Sequence, residues 1–97
     1  MPPEIQRNVR ITGKVQRVKF REGIRAQARE LGVRGWVRNM LDGSVDAMFQ
    51  GPEDKVAALV DWCRVGPQKA RVDAVSSTPA PLEPCVGFQL RDRSTAA

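Results

Sequence analysis

From Asn8 the chain alternates, with Val9, Ile11 and Val15 on one parity and Arg10, Thr12 and Lys14 on the other. A period of two marks a strand with one buried face. The period then lengthens: Ile24, Ala28 and Leu31 recur at i, i+4 and i+7, Arg21, Arg25 and Arg29 occupy another face, and Gly32 supplies a left-handed stop. This predicts a helix over 22–31. Residues 33–40, VRGWVRNM, are β-branched and aromatic and read as a second strand. An Asp42-Gly43 turn leads into a third over 44–50, with Val45, Ala47 and Phe49 inward and Asp46, Met48 and Gln50 outward. Pro52 opens a second helix, Glu53 and Asp54 sit in its first turn where the dipole favours them, and Val56, Leu59, Val60 and Cys63 form its apolar face. Gly66-Pro67 ends it. A weaker alternation over 70–77 gives a fourth strand, and after the Pro-rich TPAPLEPC the closing VGFQLR places Val86, Phe88 and Leu90 on one face. Residues 1–7, which hold Pro2-Pro3, and 93–97 read as frayed ends of one domain over 8–92.

The order strand, helix, strand, strand, helix, strand predicts an α+β fold of the ferredoxin-like βαββαβ type. Two helices on one face of a four- to five-stranded antiparallel sheet bury both helical stripes and one sheet face in a single core. The other sheet face is expected to meet solvent.

Composition narrows the chemistry. The 97 residues are 41% hydrophobic and 28% charged, enough to form a core, and no apolar run approaches the length that spans a bilayer. The first ten residues lack a secretory apolar segment, so a cytoplasmic location is expected. Cys63 and Cys85 belong to no CxxC pair and are expected as reduced thiols. With no His and no Tyr, the chain has no Ser-His-Asp or Cys-His machinery, and neither a metal site nor a cofactor is expected. Any reaction must use Arg, Lys, Asn, carboxylates and backbone amides. A net charge of +5 favours anionic partners without naming one.

Much of that charge gathers at Lys14, Arg17, Lys19, Arg21 and Arg25, where the strand pattern gives way to the helical one. In the predicted layout, residues 16–20 join the first strand to the first helix. Amides of the loop and first helical turn then converge with the positive helix end, and Arg21 can add a two-pronged contact to an oxyanion. A solvated basic turn would look the same by composition alone.

Residues 15–51, VQRVKFREGIRAQARELGVRGWVRNMLDGSVDAMFQG, resemble the acylphosphatase family, ferredoxin-like hydrolases of the carboxyl–phosphate bond. The matching elements are Val15, Gln16, Val18, Phe20 and Arg21 in the loop; Leu31, Gly32, Gly35, Trp36, Val37 and Asn39; and Asp42, Gly43 and Val45. With Ala70, Arg71, Val72 and the terminal GFQLR the likeness covers about residues 8–91. The resemblance implies that Arg21 binds phosphate and is catalytic and that Asn39 orients the attacking water. It also implies that the backbone of Gln16, Arg17, Val18, Lys19, Phe20 and Arg21 cradles phosphate. The implied substrate is a small acyl phosphate, the loop also accepting inorganic phosphate or sulfate, with no metal or cofactor required; a monomer is expected by default, because the sequence marks no strand edge or apolar patch for a partner.

One position departs from the family pattern. Arg17 stands where the family loop usually carries glycine; if positive φ is required there, the substitution strains the cradle. The alternative is thus a catalytically impaired, anion-binding module with weak affinity for nucleic acid. The outward positions of the first strand, Arg10, Thr12 and Lys14, offer no aromatic platform, so no specific nucleic-acid contact is expected. Trp36 and Trp62 read as core or half-buried packing.

Overall fold

A computed structural model describes residues 3–91. The elements run β1 (Glu4–Lys14), α1 (Phe20–Leu31), β2 (Arg34–Asn39), β3 (Val45–Pro52), α2 (Glu53–Val65), β4 (Arg71–Ala80) and β5 (Phe88–Arg91). The fold is the expected ferredoxin-like α+β arrangement, its sheet ordered β4-β1-β3-β2-β5. Val9 and Ile11 of β1, Val37 of β2 and Val45, Ala47 and Phe49 of β3 meet Ile24 and Ala28 of α1 and Val56, Leu59, Val60 and Cys63 of α2 in one core. Each element thus buries the stripe that its own period sets.

Several differences from the expected layout follow from contacts distant in sequence. β1 begins at Glu4 rather than Asn8, and Glu4 through Arg7, expected as a frayed end, pair with Pro52 back to Phe49 of β3. Residues 93–97 lie outside the described range. Met48 and Gln50 were expected outward but are 3% and 1% exposed. Met48 sits in a central strand between its cross-strand partners Asn8 and Trp36. Gln50 donates to Gln6 Oε1 at 2.7 Å and to the Glu83 carbonyl at 2.5 Å, and the Glu83 amide donates to Gln6 Oε1 at 3.0 Å. The connection after β4 therefore crosses the outer sheet face and seals that end.

The crossing also explains β5. β4 ends beside Gln6 at one edge, and the Gly35 amide reaches the Gly87 carbonyl at the other. The chain must then run back along the sheet, so β5 pairs with β2 in parallel, not antiparallel as expected. Val86 remains in the connection, 87% exposed, instead of joining Phe88 in the core. β4 continues through Pro79, which an edge strand tolerates because one side needs no amide donor.

Trp36 and Trp62 are both half-buried. Trp36 lies on the outer sheet face with the Arg38 and Arg91 guanidiniums 4.9 and 4.7 Å from its ring centre. Cys63 and Cys85 are free thiols, and burial pushes Cys63 up to about 12. No helix among the described residues is long and apolar enough to cross a membrane.

Candidate active site

The β1–α1 loop is built by alternation. Val15, Val18 and Phe20 are 1%, 8% and 1% exposed and anchor it in the core, while Arg17 and Lys19 face solvent between them. That alternation requires two backbone reversals: both Arg17 and Lys19 adopt φ 62°. Left-handed non-glycine residues cost roughly 1–2 kcal/mol each, so the loop holds strain that its anchors must offset. Phe20 supplies the firmest anchor, its ring edge-on to Trp62 with centroids 5.8 Å apart. At Gly66, past the end of α2, a Cβ would come within 2.5 Å of the Phe20 ring, so glycine permits this close approach.

Lys19 is the N-cap of α1 and makes no side-chain cap. The first amide that returns to the loop is Gly23, bonded to the Lys19 carbonyl at 3.1 Å. The amides of residues 17–22 thus meet no protein acceptor among the described residues, and the positive end of the helix dipole adds to them. Arg21, the second residue of the helix, lies beside them. Its Nη1 donates to the Arg91 carbonyl at the end of β5, 2.7 Å away, which fixes the guanidinium and leaves further N–H groups for a ligand.

Asn39 arrives from the end of β2, paired with Val45 and half-buried. Its Oδ1 is buried and has no hydrogen-bond partner among the described residues, an arrangement that costs free energy unless some other group donates to it. The hairpin beyond it is closed by Met40 N–H to the Ser44 carbonyl at 2.8 Å, and by Ser44 donating from its amide and hydroxyl to Asp42 Oδ1. The Ser44 bonds hold the Asp42 carboxyl below its usual range. Gln16 then joins hairpin to loop: its Nε2 donates to the Met40 carbonyl at 2.7 Å and to that of Ser44 at 2.9 Å.

These elements enclose a cavity of about 210 Å3 lined by Arg17, Lys19, Arg21, Glu22 and Asn39 with the buried Val15 and Phe20. The residues that the resemblance singled out for chemistry, Arg21 and Asn39, are brought together from α1 and β2. The side chains of Gln16, Val18 and Phe20 instead anchor the loop, so these positions offer backbone only. The clamp by Gln16 and the Arg91 carbonyl were missed, because both contacts depend on where distant segments end. A larger cleft, about 570 Å3, lies between α2 and the strands β1 and β4. It mixes Arg7 and Arg64 with Glu4, Glu53 and Asp61, and Arg64 is already paired with Asp61, so it offers no net field for an anion. Among the described residues no group of three or more His, Cys, Asp or Glu could hold a metal ion.

The residues that line the cavity, from Val15 to Asn39, all fall within a stretch that a family model matches. A family model for acylphosphatase matches residues 7–90. This chain belongs to the acylphosphatase family. It is 42% identical over 91 residues to an acylphosphatase of Natronomonas pharaonis, covering 94% of this chain and 99% of that protein. It is 53% identical over 76 residues to one of Nitrobacter hamburgensis, covering 78% and 77% of the two chains. Among solved structures, an acylphosphatase from Coxiella burnetii superposes with a TM-score of 0.88 at 36% identity, covering 91% of this chain and 93% of that one.

Proposed function

We propose that this acylphosphatase-family chain hydrolyses the carboxyl–phosphate bond of small acyl phosphates. The observation that carries the reading is one cavity that brings Asn39, whose Oδ1 has no hydrogen-bond partner among the described residues, together with Arg21 beside the open amides at the start of α1. The amides of residues 17–21 and the Arg21 guanidinium take the phosphoryl oxygens, where their charge stabilises the transition state. Asn39 accepts a hydrogen bond from a water and directs its oxygen at phosphorus, in line with the departing acyl oxygen. As the new P–O bond forms, the acyl P–O bond breaks and its electron pair leaves on the carboxylate. One water proton stays on phosphate and the other passes to it or to solvent, so acyl phosphate and water give carboxylate and inorganic phosphate. A carboxylate leaves readily from a mixed anhydride, which is why no histidine or other acid is needed.

Arg17 adopts the left-handed conformation that the loop asks for, so the substitution leaves the run of open amides in place. This favours a working enzyme over an impaired module. A monomeric state and a cytoplasmic location are carried over as parts of the same reading, the first open to light scattering after size exclusion.

The test follows loss of benzoyl phosphate by ultraviolet absorbance in EDTA. Wild type is expected to turn over, and Arg21→Ala is expected to fall by at least about 100-fold while keeping its circular dichroism and urea midpoint. An inactive wild type, or an Arg21→Ala variant as fast as wild type, defeats the reading.

A further inference from the structure

We infer that Arg17 and Lys19 form a second anion subsite beside the phosphate cradle, one that selects acyl phosphates whose acyl part carries another negatively charged group. This rests on the hydrolase reading and deepens it. The phosphoryl group is already supplied by the open amides and by Arg21, yet the same cavity wall contains two further cations. Both are exposed, and neither makes an ion pair or side-chain hydrogen bond among the described residues, although Glu22 lines the same cavity. The acidic groups that do pair, Glu4, Asp42, Asp61 and Asp73, take Arg34, Arg10, Arg64 and Arg71 instead.

The backbone puts them there. Because Val15, Val18 and Phe20 are locked into the core, left-handed turns at 17 and 19 send both flanking side chains to the solvent side of the loop, at the cavity. A strained backbone that persists in a loop of this kind points to a use for what it carries. Two unpaired cations at the mouth of a phosphate site attract whatever charge the leaving carboxylate's own chain bears. A plain acyl group gives them nothing to bind, whereas a second carboxylate or phosphate on the acyl part does.

The experiment compares benzoyl phosphate with its 3-carboxy and 4-carboxy derivatives and reads the ratio of kcat/KM, charged over plain, for each enzyme. Both residues lie in the loop, so absolute rates are expected to change and the ratio is the quantity that matters. Wild type is expected to prefer at least one carboxylated substrate by about tenfold, mainly through KM. Arg17→Gln and Lys19→Gln are each expected to lower that ratio by about threefold, and the double variant should bring it near one. Arg17→Lys should keep it, and 0.5 M salt should erase it, because exposed charges are screened. A wild-type ratio near one for both derivatives, or a ratio that the double variant leaves unmoved, overturns the subsite while leaving hydrolysis of benzoyl phosphate standing. If wild type hydrolyses none of the three, the hydrolase reading falls and the subsite with it.

Discussion

The two ends of the sheet treat polar groups in opposite ways. At the end where β1 starts, the buried Gln50 donates to the buried Gln6 and to the Glu83 carbonyl, Gln6 accepts from the Glu83 amide, and Arg34 forks onto Glu4. Arg34 holds the Glu4 carboxyl below its usual range chiefly through that bond. At the end where β1 stops, the amides at the start of α1 and Asn39 Oδ1 have no hydrogen-bond partner among the described residues, and two non-glycine residues hold positive φ. One end spends its polar groups on the fold. The other leaves them open, as the proposed hydrolase site requires, and the strain it carries has to be offset by anchors such as Phe20 and by the core below.

The contrast breaks if single substitutions at the two ends behave alike. Asn39→Ala removes a side chain that makes no hydrogen bond among the described residues, so its urea midpoint should match or exceed that of wild type, while kcat should drop by about 100-fold, or roughly 2.7 kcal/mol of transition-state stabilisation. Gln50→Ala should do the reverse. It strands the Glu83 carbonyl, leaves Gln6 Oε1 with the Glu83 amide as its donor and opens a void, at a cost of about 2–3 kcal/mol in unfolding free energy, with kcat close to wild type. An Asn39→Ala protein that is much less stable, or a Gln50→Ala protein that is as stable as wild type, would remove the distinction.

Gln16 tests whether the two parts of the active end act together. Its amide bridges the loop to the hairpin that follows Asn39, so it governs how Arg21 and Asn39 face one another without itself facing the anion. Gln16→Leu leaves the Met40 and Ser44 carbonyls short of a donor and frees the hairpin. The expected effect is about tenfold in kcat with little change in KM for benzoyl phosphate, and a stability loss of about 1 kcal/mol. A large rise in KM at unchanged kcat would instead mean that Gln16 serves phosphate binding.

The sequence made the helices and the first three strands legible because each owes its form to its own periodicity: Ile24 with Ala28, Val56 with Leu59, Val45 with Phe49. Arg21, Asn39 and the loop were legible through a spaced motif. What escaped depends on partners far along the chain. Glu4 becomes a strand residue only because Pro52 lies opposite it, and Gln50 is buried only because Glu83 crosses above it. Nothing local marks Phe88 for a parallel pairing, since that follows from the edge at which the crossing chain lands. At Arg17, sequence posed the right question, whether the position demands positive φ, and the backbone answers it at 62°.

That answer allows the smallest prediction, and the one that weighs the strain of the active end directly. Glycine reaches the left-handed region freely, so Arg17→Gly relieves native-state strain, although it also raises the entropy of the unfolded chain. The first effect is the larger, and the net gain should be about 0.5–1 kcal/mol in unfolding free energy, read as a higher urea midpoint at unchanged slope. The variant also gives up a cation at the cavity, so the gain in stability should come with a lower preference for carboxylated substrates. A protein that becomes more stable and less selective by one substitution identifies Arg17 as a residue held in place against the backbone's own preference. If stability is unchanged, the strain at this position is no larger than the entropy that glycine adds to the unfolded chain, and Lys19 becomes the place to look for the strain that separates the two ends of the sheet.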